Sequence, residues 1–311
     1  MSNNKEKYKQ WCDNNKDIPL FYQHTYYQAL FDNNWDIALD IRDEKIVGCL
    51  PYIIRSKFGF KKINPELFLP YQGVWINYPP NQKYATKIGF EKEVCENLLK
   101  QLPNVAHYHQ MFHPNFTNWM AFYWKGFEQT TRYTYIINHN PNIDAIFDAF
   151  KSNLKWEIRK AEKNINVSSS ENIEQLYELK KQDYLIKNIP LNVPFEKLNK
   201  LYQHCKKNNC GELLTATDEN KNIHAMMLLV WDKHTAYYLF SATNHQFKNS
   251  GAMSLLIWEA IKKMNALGKH FNFEGSMIKS VEKHFRAFGG IQTPYFNIKK
   301  TNSLLFKLLK R

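Results

Sequence analysis

The chain has 311 residues, with 44% hydrophobic and 23% charged side chains. At roughly 150 residues per domain this allows about two domains, each with its own core, and excludes a wholly disordered chain. Lysine and arginine exceed aspartate and glutamate by 42 to 29, a net charge of +13.

That charge raises the expectation of a nucleic acid or another phosphate-bearing partner. Lysine, asparagine and isoleucine are over-used along the whole chain, however, and no block of five like charges occurs. The bias is compositional, so a phosphate-bearing small ligand is expected ahead of RNA. The longest apolar runs, such as Ala225 to Trp231, fall far short of the roughly 18–20 residues that cross a bilayer. Met1 to Lys7 holds no apolar signal core. A soluble, cytoplasmic protein without a transmembrane segment is the expectation. Cys12, Cys49, Cys95, Cys205 and Cys210 are odd in number and form no C-x-x-C pair, so neither a disulfide framework nor a zinc site is expected.

In chain order, Lys5 to Asn14 reads as a helix, and a second helix follows Thr25 as its cap. Trp35 to Arg42 and Ile46 to Arg55 form a hairpin about Asp43-Glu44-Lys45. Pro70-Tyr71-Gln72-Gly73 breaks the pattern before Val74-Trp75-Ile76. A helix over Lys87 to Gln101 and strands over Val105 to Phe112 and Tyr133 to Asn138 follow. Asn138-His139-Asn140-Pro141-Asn142 is polar and turn-rich, the best linker in the chain.

Beyond it, Ile143 to Asn164 is helical with a break near Ser152, and Val167 to Ser169 is a short strand. Ile173 to Lys187 and Pro194 to Asn208 are helices. Strands at Glu212 to Thr217, Ile223 to Asp232 and Thr235 to Ser241 come next. A loop leads to a strong helix, Ala252 to Leu267, stopped by Gly268. Lys269 to Phe273 is a strand, Lys279 to Phe288 a helix and Pro294 to Lys299 a final strand. Hairpins dominate, so the fold class is α+β (mixed α/β). Two tandem modules are expected, residues 1–140 and 141–311, each a mostly antiparallel sheet flanked by helices.

The loop His245 to Ala252 joins a strand to a helix, where backbone N–H groups bind anions. Gln246, Asn249 and Gly251 resemble in register the Q/R-x-x-G-x-G/A loop of the acetyltransferase superfamily GNAT, with Asn in place of the first Gly. Longer stretches resemble the Fem-like transferases, proteins of two GNAT modules. These are Ser152 to Lys163, Phe271-Asn272-Phe273-Glu274-Gly275-Ser276 and Phe285-Arg286-Ala287-Phe288-Gly289-Gly290. In the first half Ile46 to Pro51 and Leu69 to Gly73 match as well.

The resemblance implies a bacterial enzyme that transfers an acyl group to an amine. The donor is acyl-CoA, held by Ser241, Gln246, Asn249, Ser250, Gly251 and Ala252. The alternative donor is aminoacyl-tRNA, used by Fem proteins to extend the peptide of peptidoglycan precursors, and a third reading is a non-catalytic binding module. The acceptor, a small-molecule or precursor-linked amine, would sit between the modules. Strands Thr235–Ser241 and Lys269–Phe273 would splay around the donor, with a backbone N–H stabilising the oxyanion.

Glu274, ending a strand beside Gly275, is the candidate base for deprotonating the amine. Arg159 and Arg286 are candidates for pairing with phosphate or carboxylate, and Tyr71 and Gln72 for lining the acceptor site. Phe285 stands where CoA-dependent members often carry a thiolate-protonating tyrosine, so either His284 beside it or water substitutes, or the donor is not a CoA thioester.

His107, His109 and His113 alternate as a strand would place them, but no carboxylate accompanies them and no metal is expected. The aromatic cluster Trp119, Phe122, Tyr123, Trp124 and Phe127 reads as packing between the modules rather than as a base-stacking platform.

Overall fold

A computed structural model describes residues 3–15 and 17–309. The chain divides into two compact units. One combines residues 1–132 with 294–311, and the other is 133–293. The division lies a few residues before the expected 140/141 boundary, and the last strand and helix return to the first unit. A linker signal marks where the chain turns, but a long strand can pass from one unit to the next without any break in its pattern.

The first unit begins with α1 (Asn3–Asn14) and α2 (His24–Phe31). Strands β1 (Asp36–Arg42) and β2 (Lys45–Tyr52) form the expected hairpin, whose turn residues Asp43 and Glu44 are both left-handed. The second arm does not run on to Arg55. It ends at Tyr52, and Ile54 opens a separate strand, β3 (Ile54–Lys57), paired with β4 (Phe60–Ile63) around Phe58-Gly59. Then come β5 (Trp75–Ile76), α3 (Tyr84–Gln101), β6 (His107–Met111), α4 (Met120–Trp124) and β7 (Glu128–Ile137), whose second half belongs to the other unit.

Two sheet segments result here: β1-β2-β5, and β3-β4-β6 continued by the C-terminal strand β13 (Ile291–Thr301), with α11 (Leu304–Leu309) after it. Their core gathers Leu50, Val74, Val94, Leu98, Phe112, Phe116, Phe122 and Ile298. Phe122, expected between modules, is thus fully buried within this unit's own core, while Tyr123 and Trp124 are exposed. His107 Nδ1 meets Thr301 Oγ1 at 2.9 Å and His109 Nε2 meets Asn297 Oδ1. Both rings are occupied by neighbours on β13.

The second unit contains α5 (Ile143–Asp148), α6 (Ser152–Ala161), β8 (Asn166–Ser170), α7 (Ile173–Ile186) and α8 (Phe195–Asn208). Next come β9 (Gly211–Thr217), β10 (Ile223–Trp231), β11 (Thr235–Thr243), α9 (Ala252–Ala266), β12 (His270–Asn272) and α10 (Lys279–Ala287). Its strand order is β7-β12-β11-β10-β9-β8. All pairs in it are antiparallel except β11 with β12.

Helix α6 presents Leu154, Ile158 and Ala161, spaced four and three apart, to this core. Helix α9 is apolar on nearly every side and packs against α6, β9 and β10, where Leu255, Leu256, Ile257, Ala260 and Ile261 are all buried. Burying such a helix fixes its N-terminus against the sheet, and that terminus is where the candidate loop lies.

Candidate active site

The site begins where two parallel strands part. β11 and β12 pair from Thr235↔His270 to Tyr237↔Asn272, and the ladder stops there. β11 runs on to Thr243 along β10, with a register slip that leaves Leu239 as an extra residue between Tyr238 and Phe240. A bulge bends its strand and increases the local twist, so β11 leaves β12 at Tyr238. These are the two strands the sequence expects to splay.

Glu274 lies two residues beyond the end of β12. Asn272 Oδ1 accepts from Thr134 Oγ1 at 2.7 Å and from the Glu274 amide at 2.8 Å. Glu274 is held at φ 57° and Gly275 at φ 75°. A Cβ on Gly275 would lie 2.0 Å from the Tyr133 carbonyl oxygen, so only glycine fits. Glu274 Oε1 is buried without a hydrogen-bond partner. Burial pushes its carboxyl well above the usual carboxylate range.

On the opposite strand the Tyr238 ring packs 6.4 Å from Phe273 and 5.5 Å from Phe285, centre to centre. Its hydroxyl shares a hydrogen bond with Ser241 Oγ and reaches Met253 Sδ at 3.6 Å. Burial pushes the phenol up to about 12. Lys180, on α7, donates from Nζ to the Ser241 carbonyl at 2.7 Å. Its ammonium lies over the rings of Tyr184 and Phe240, each at 5.3 Å. Burial pulls this ammonium below its ordinary value, opposed by Asp183.

The loop after β11 is a chain of local caps. Asn244 Oδ1 accepts from the Gln246 amide at 3.1 Å, and Ser250 Oγ accepts from the Ala252 amide at 3.3 Å. Phe247 lies flat on His224, 4.0 Å between centres. Gln246, Lys248 and Asn249 are exposed. Gly251 is the N-cap residue of α9 and offers no side-chain cap of its own.

Glu157 approaches the same helix end. Its Oε1 accepts from Ser254 Oγ at 2.8 Å in the first turn of α9, where a negative charge is stabilised by the helix dipole. A Cβ at Gly251 would lie 2.9 Å from Glu157 Cγ. His284, half-buried on α10, has a buried Nε2 without a partner and packs 5.4 Å from Phe288. Burial pulls its imidazole below the ordinary value, with Glu157 opposing.

Residues 148–275 match the family model described as an acetyltransferase (GNAT) domain. The matched residues lie within the second unit. Acyl transfer is the class of reaction to which this match points. The chain is also similar in fold to a crystal structure of FemX, at TM-score 0.69 and 12% identity, over 100% of this chain and 99% of that one. A second likeness, at TM-score 0.57 and 10% identity, is to the C-terminal domain of a putative lysylphosphatidylglycerol synthetase from Agrobacterium fabrum, over 99% and 95%. A third is to a tandem GNAT protein from the clavulanic acid biosynthesis pathway, at TM-score 0.54 and 8% identity, over 96% and 95%. These identities establish shared fold. No curated protein matches the chain in sequence. The two-module architecture and the Fem-like resemblance read from the sequence hold at that level.

Many of the anticipated residues lie within residues 148–275 and the helix after them. Glu274 lies just beyond the end of one splayed strand, and Ser241 lies on the other. Gln246, Asn249, Ser250, Gly251 and Ala252 form the loop. His284 packs against Phe288 and feels the charge of Glu157. Arg159 is exposed, stacked 5.4 Å from the Phe147 ring. Arg286 is exposed too, its Nε donating to Glu282 Oε1 at 2.8 Å, and Glu282 also accepts the Tyr135 hydroxyl at 2.6 Å.

Tyr71 and Gln72 belong to the first unit and are fully buried there. Tyr71 packs among Phe21, His113 and Tyr295. The Gln72 carbonyl accepts the Tyr22 hydroxyl at 2.5 Å, while both polar atoms of its side chain lack partners.

Sequence reasoning missed Tyr238, Lys180 and Glu157. For Tyr238 the sequence offers only the strand alternation, and the bulge that places it is a matter of pairing. In Tyr237-Tyr238 one ring of the pair must face away from the other, and a bulge directly after it turns the second toward the strand opening. Lys180 and Glu157 sit on helices among other charged residues, with nothing local to single them out. Among the described residues, no helix is long and apolar enough to cross a membrane, and no cluster of three His, Cys, Asp or Glu could hold a metal ion.

Proposed function

We propose that the chain is an N-acyltransferase whose second unit holds the acyl donor and moves the acyl group to an amine, with acyl-CoA as the donor. The observation that carries this reading is the parting of β11 from β12 at Tyr238, with Glu274 at the end of one strand and the Gly251-capped loop at the end of the other. A thioester laid in that opening meets the unpaired edge of β11 around the Leu239 bulge, whose backbone N–H groups would stabilise the oxyanion. The acceptor must lose a proton to attack. Glu274, with a carboxyl whose proton affinity is raised by burial, is suited to take it. Tyr238 supplies the proton to the departing thiolate, a role for which the sequence offers His284 or water. The exposed Gln246, Lys248 and Asn249, with the α9 N-terminus, face a phosphate-bearing carrier.

Two observations favour the second reading, an aminoacyl ester of tRNA as donor. Lys180 already occupies the Ser241 carbonyl, a group a pantetheine amide would need for pairing along β11. Glu157 already places a carboxylate at the first turn of α9.

Calorimetric titration with acetyl-CoA separates the two readings. Saturable binding, lost in Gly251→Glu and weakened by Lys248→Glu, supports the CoA donor and makes an acceptor-amine screen the next step. No heat up to about millimolar ligand, equivalent to less than ~4 kcal/mol of binding, would remove it. Transfer from charged tRNA is then assayed directly, and the absence of both activities leaves a binding module.

A further inference from the structure

Helix α8 ends in a Schellman turn. Asn209 is left-handed at φ 50°. Its amide donates to the Lys206 carbonyl at 3.4 Å, and the Cys210 amide donates to the Cys205 carbonyl at 3.1 Å. These are the 5→2 and 6→1 bonds of the motif, in which the side chains of the first and last residues pack together, ordinarily as an apolar pair. Here both positions are cysteine. The 6→1 bond draws their backbones together, toward the Cα separation of about 5.5–6 Å that disulfides favour. A Cβ built on Gly211 would lie 2.8 Å from Cys205 Cβ and 3.0 Å from its Sγ, so the Cys205 thiol lies directly against the chain that carries Cys210.

The two thiols differ in access and in acidity. Cys205 is buried and Cys210 only partly so. His204 Nδ1 lies 3.2 Å from the Asn208 amide nitrogen. The hydrogen bond with Cys205, helped by His204, pulls Cys210 down to about 6, whereas that same hydrogen bond, burial and the Cys210 charge push Cys205 up. Cys210 is thus the more acidic and more accessible member of the pair.

We propose that Cys210 is a peroxide-reactive cysteine and that Cys205 resolves it, closing a disulfide across the end of α8. The Cys210 thiolate attacks hydrogen peroxide. An S–O bond forms, the O–O bond breaks, and the hydroxide released leaves as water after taking from solvent the proton that the Cys210 thiol had given up. Cys205 then attacks the sulfenic sulfur. The S–S bond forms, the S–O bond breaks, and the second hydroxide takes the Cys205 proton. Two thiols and one peroxide become one disulfide and two waters. The turn is already tied to β10, because the Trp231 amide donates to the Cys210 carbonyl at 2.8 Å and the Trp231 indole donates to the Asn209 carbonyl at 3.0 Å. Oxidation therefore fastens α8 to the start of β9 without moving either strand.

The test uses the whole chain, reduced and then exposed to a small excess of hydrogen peroxide. Intact mass should fall by two hydrogens and recover with dithiothreitol, and peptide mapping should link Cys205 to Cys210. In Cys205→Ser the product should instead carry one added oxygen on Cys210, trapped by dimedone. Cys210→Ser should give neither. At pH 6.5 iodoacetamide should label Cys210 at least about tenfold faster than the partly exposed Cys12. Labelling of Cys210 no faster than of Cys12, or a linkage that survives in Cys205→Ser, would overturn the proposal and leave the pair as an ordinary apolar contact.

Discussion

Tyr238 on β11 packs against Phe285 on α10, ring centres 5.5 Å apart, so a phenol stands beside the position where the resembling motif places its own. The hydroxyl comes from a strand instead of a helix, and its hydrogen bond to Ser241 Oγ fixes its direction. Tyr238→Phe should lower kcat by about 10²-fold, within the usual range for a general acid, with KM for the donor changed little. Phe285→Tyr added to that variant should restore part of kcat, because it returns a hydroxyl from the neighbouring helix. A merely structural tyrosine would lose stability without this rescue.

Glu274 predicts a pH dependence of defined sign. Burial raises its carboxyl above the unfolded value, so folding favours the protonated form. Its contribution to stability is fully present below the unfolded value and is lost as pH rises through the folded one. Glu274→Gln should therefore raise the melting temperature at pH 8 and change it little at pH 4. Activity should respond in the opposite sense. The base must be ionised, so kcat/KM should climb with pH through a midpoint above the normal carboxylate range. Glu274→Gln should flatten that limb and cost at least about tenfold. An unaltered profile would remove Glu274 from the reaction.

These two residues show what was legible in the sequence. Glu274 announced itself because a charged residue before a glycine at the end of an apolar strand is a local pattern. Tyr238 did not, because its role depends on a one-residue slip between β10 and β11 and on a helix some forty residues later. The same division runs through the fold. Helix α9 and its glycine stop, the three strands β9 to β11 and the break before α6 follow from periodicity and capping. The β3–β4 hairpin was lost because Phe58-Gly59 lies inside a polar, basic stretch, where both residues take left-handed backbone. The return of β13 to the first unit is a matter of strand pairing, and periodicity carries no information about partners.

Lys180 offers a test of how the donor lies. Its ammonium is pulled down by burial, so its charge costs stability, and more so as pH falls through the folded value. Lys180→Met keeps the stem's packing and removes the charge, which should raise the melting temperature at pH 7. It also frees the Ser241 carbonyl. Where acyl-CoA pairs along β11, calorimetry should show several-fold tighter binding, since a released carbonyl adds about 1 kcal/mol for a new hydrogen bond. Weaker binding would mean that Lys180 itself touches the donor.

Gly275 and Gly268 form a matched pair for asking how much the Glu274 turn depends on space. Both belong to the second unit, and both have left-handed backbone, at φ 75° and 72°. A Cβ at Gly268 meets nothing within 4 Å, whereas at Gly275 it would lie 2.0 Å from the Tyr133 carbonyl oxygen and 2.7 Å from Thr134 Cα. Gly268→Ala therefore carries only the backbone cost, about 1 kcal/mol. Gly275→Ala adds a collision with main chain that no side-chain rotation relieves, for a total of at least about 3 kcal/mol. Urea unfolding of the two variants should show midpoints separated accordingly. In whatever fraction of Gly275→Ala stays folded, activity should fall further than in Gly268→Ala, because relief of the collision must move the strand end that holds Glu274. Equal midpoints and equal activities would mean that β7 yields at Tyr133, and that the turn at Glu274 is not fixed by this contact.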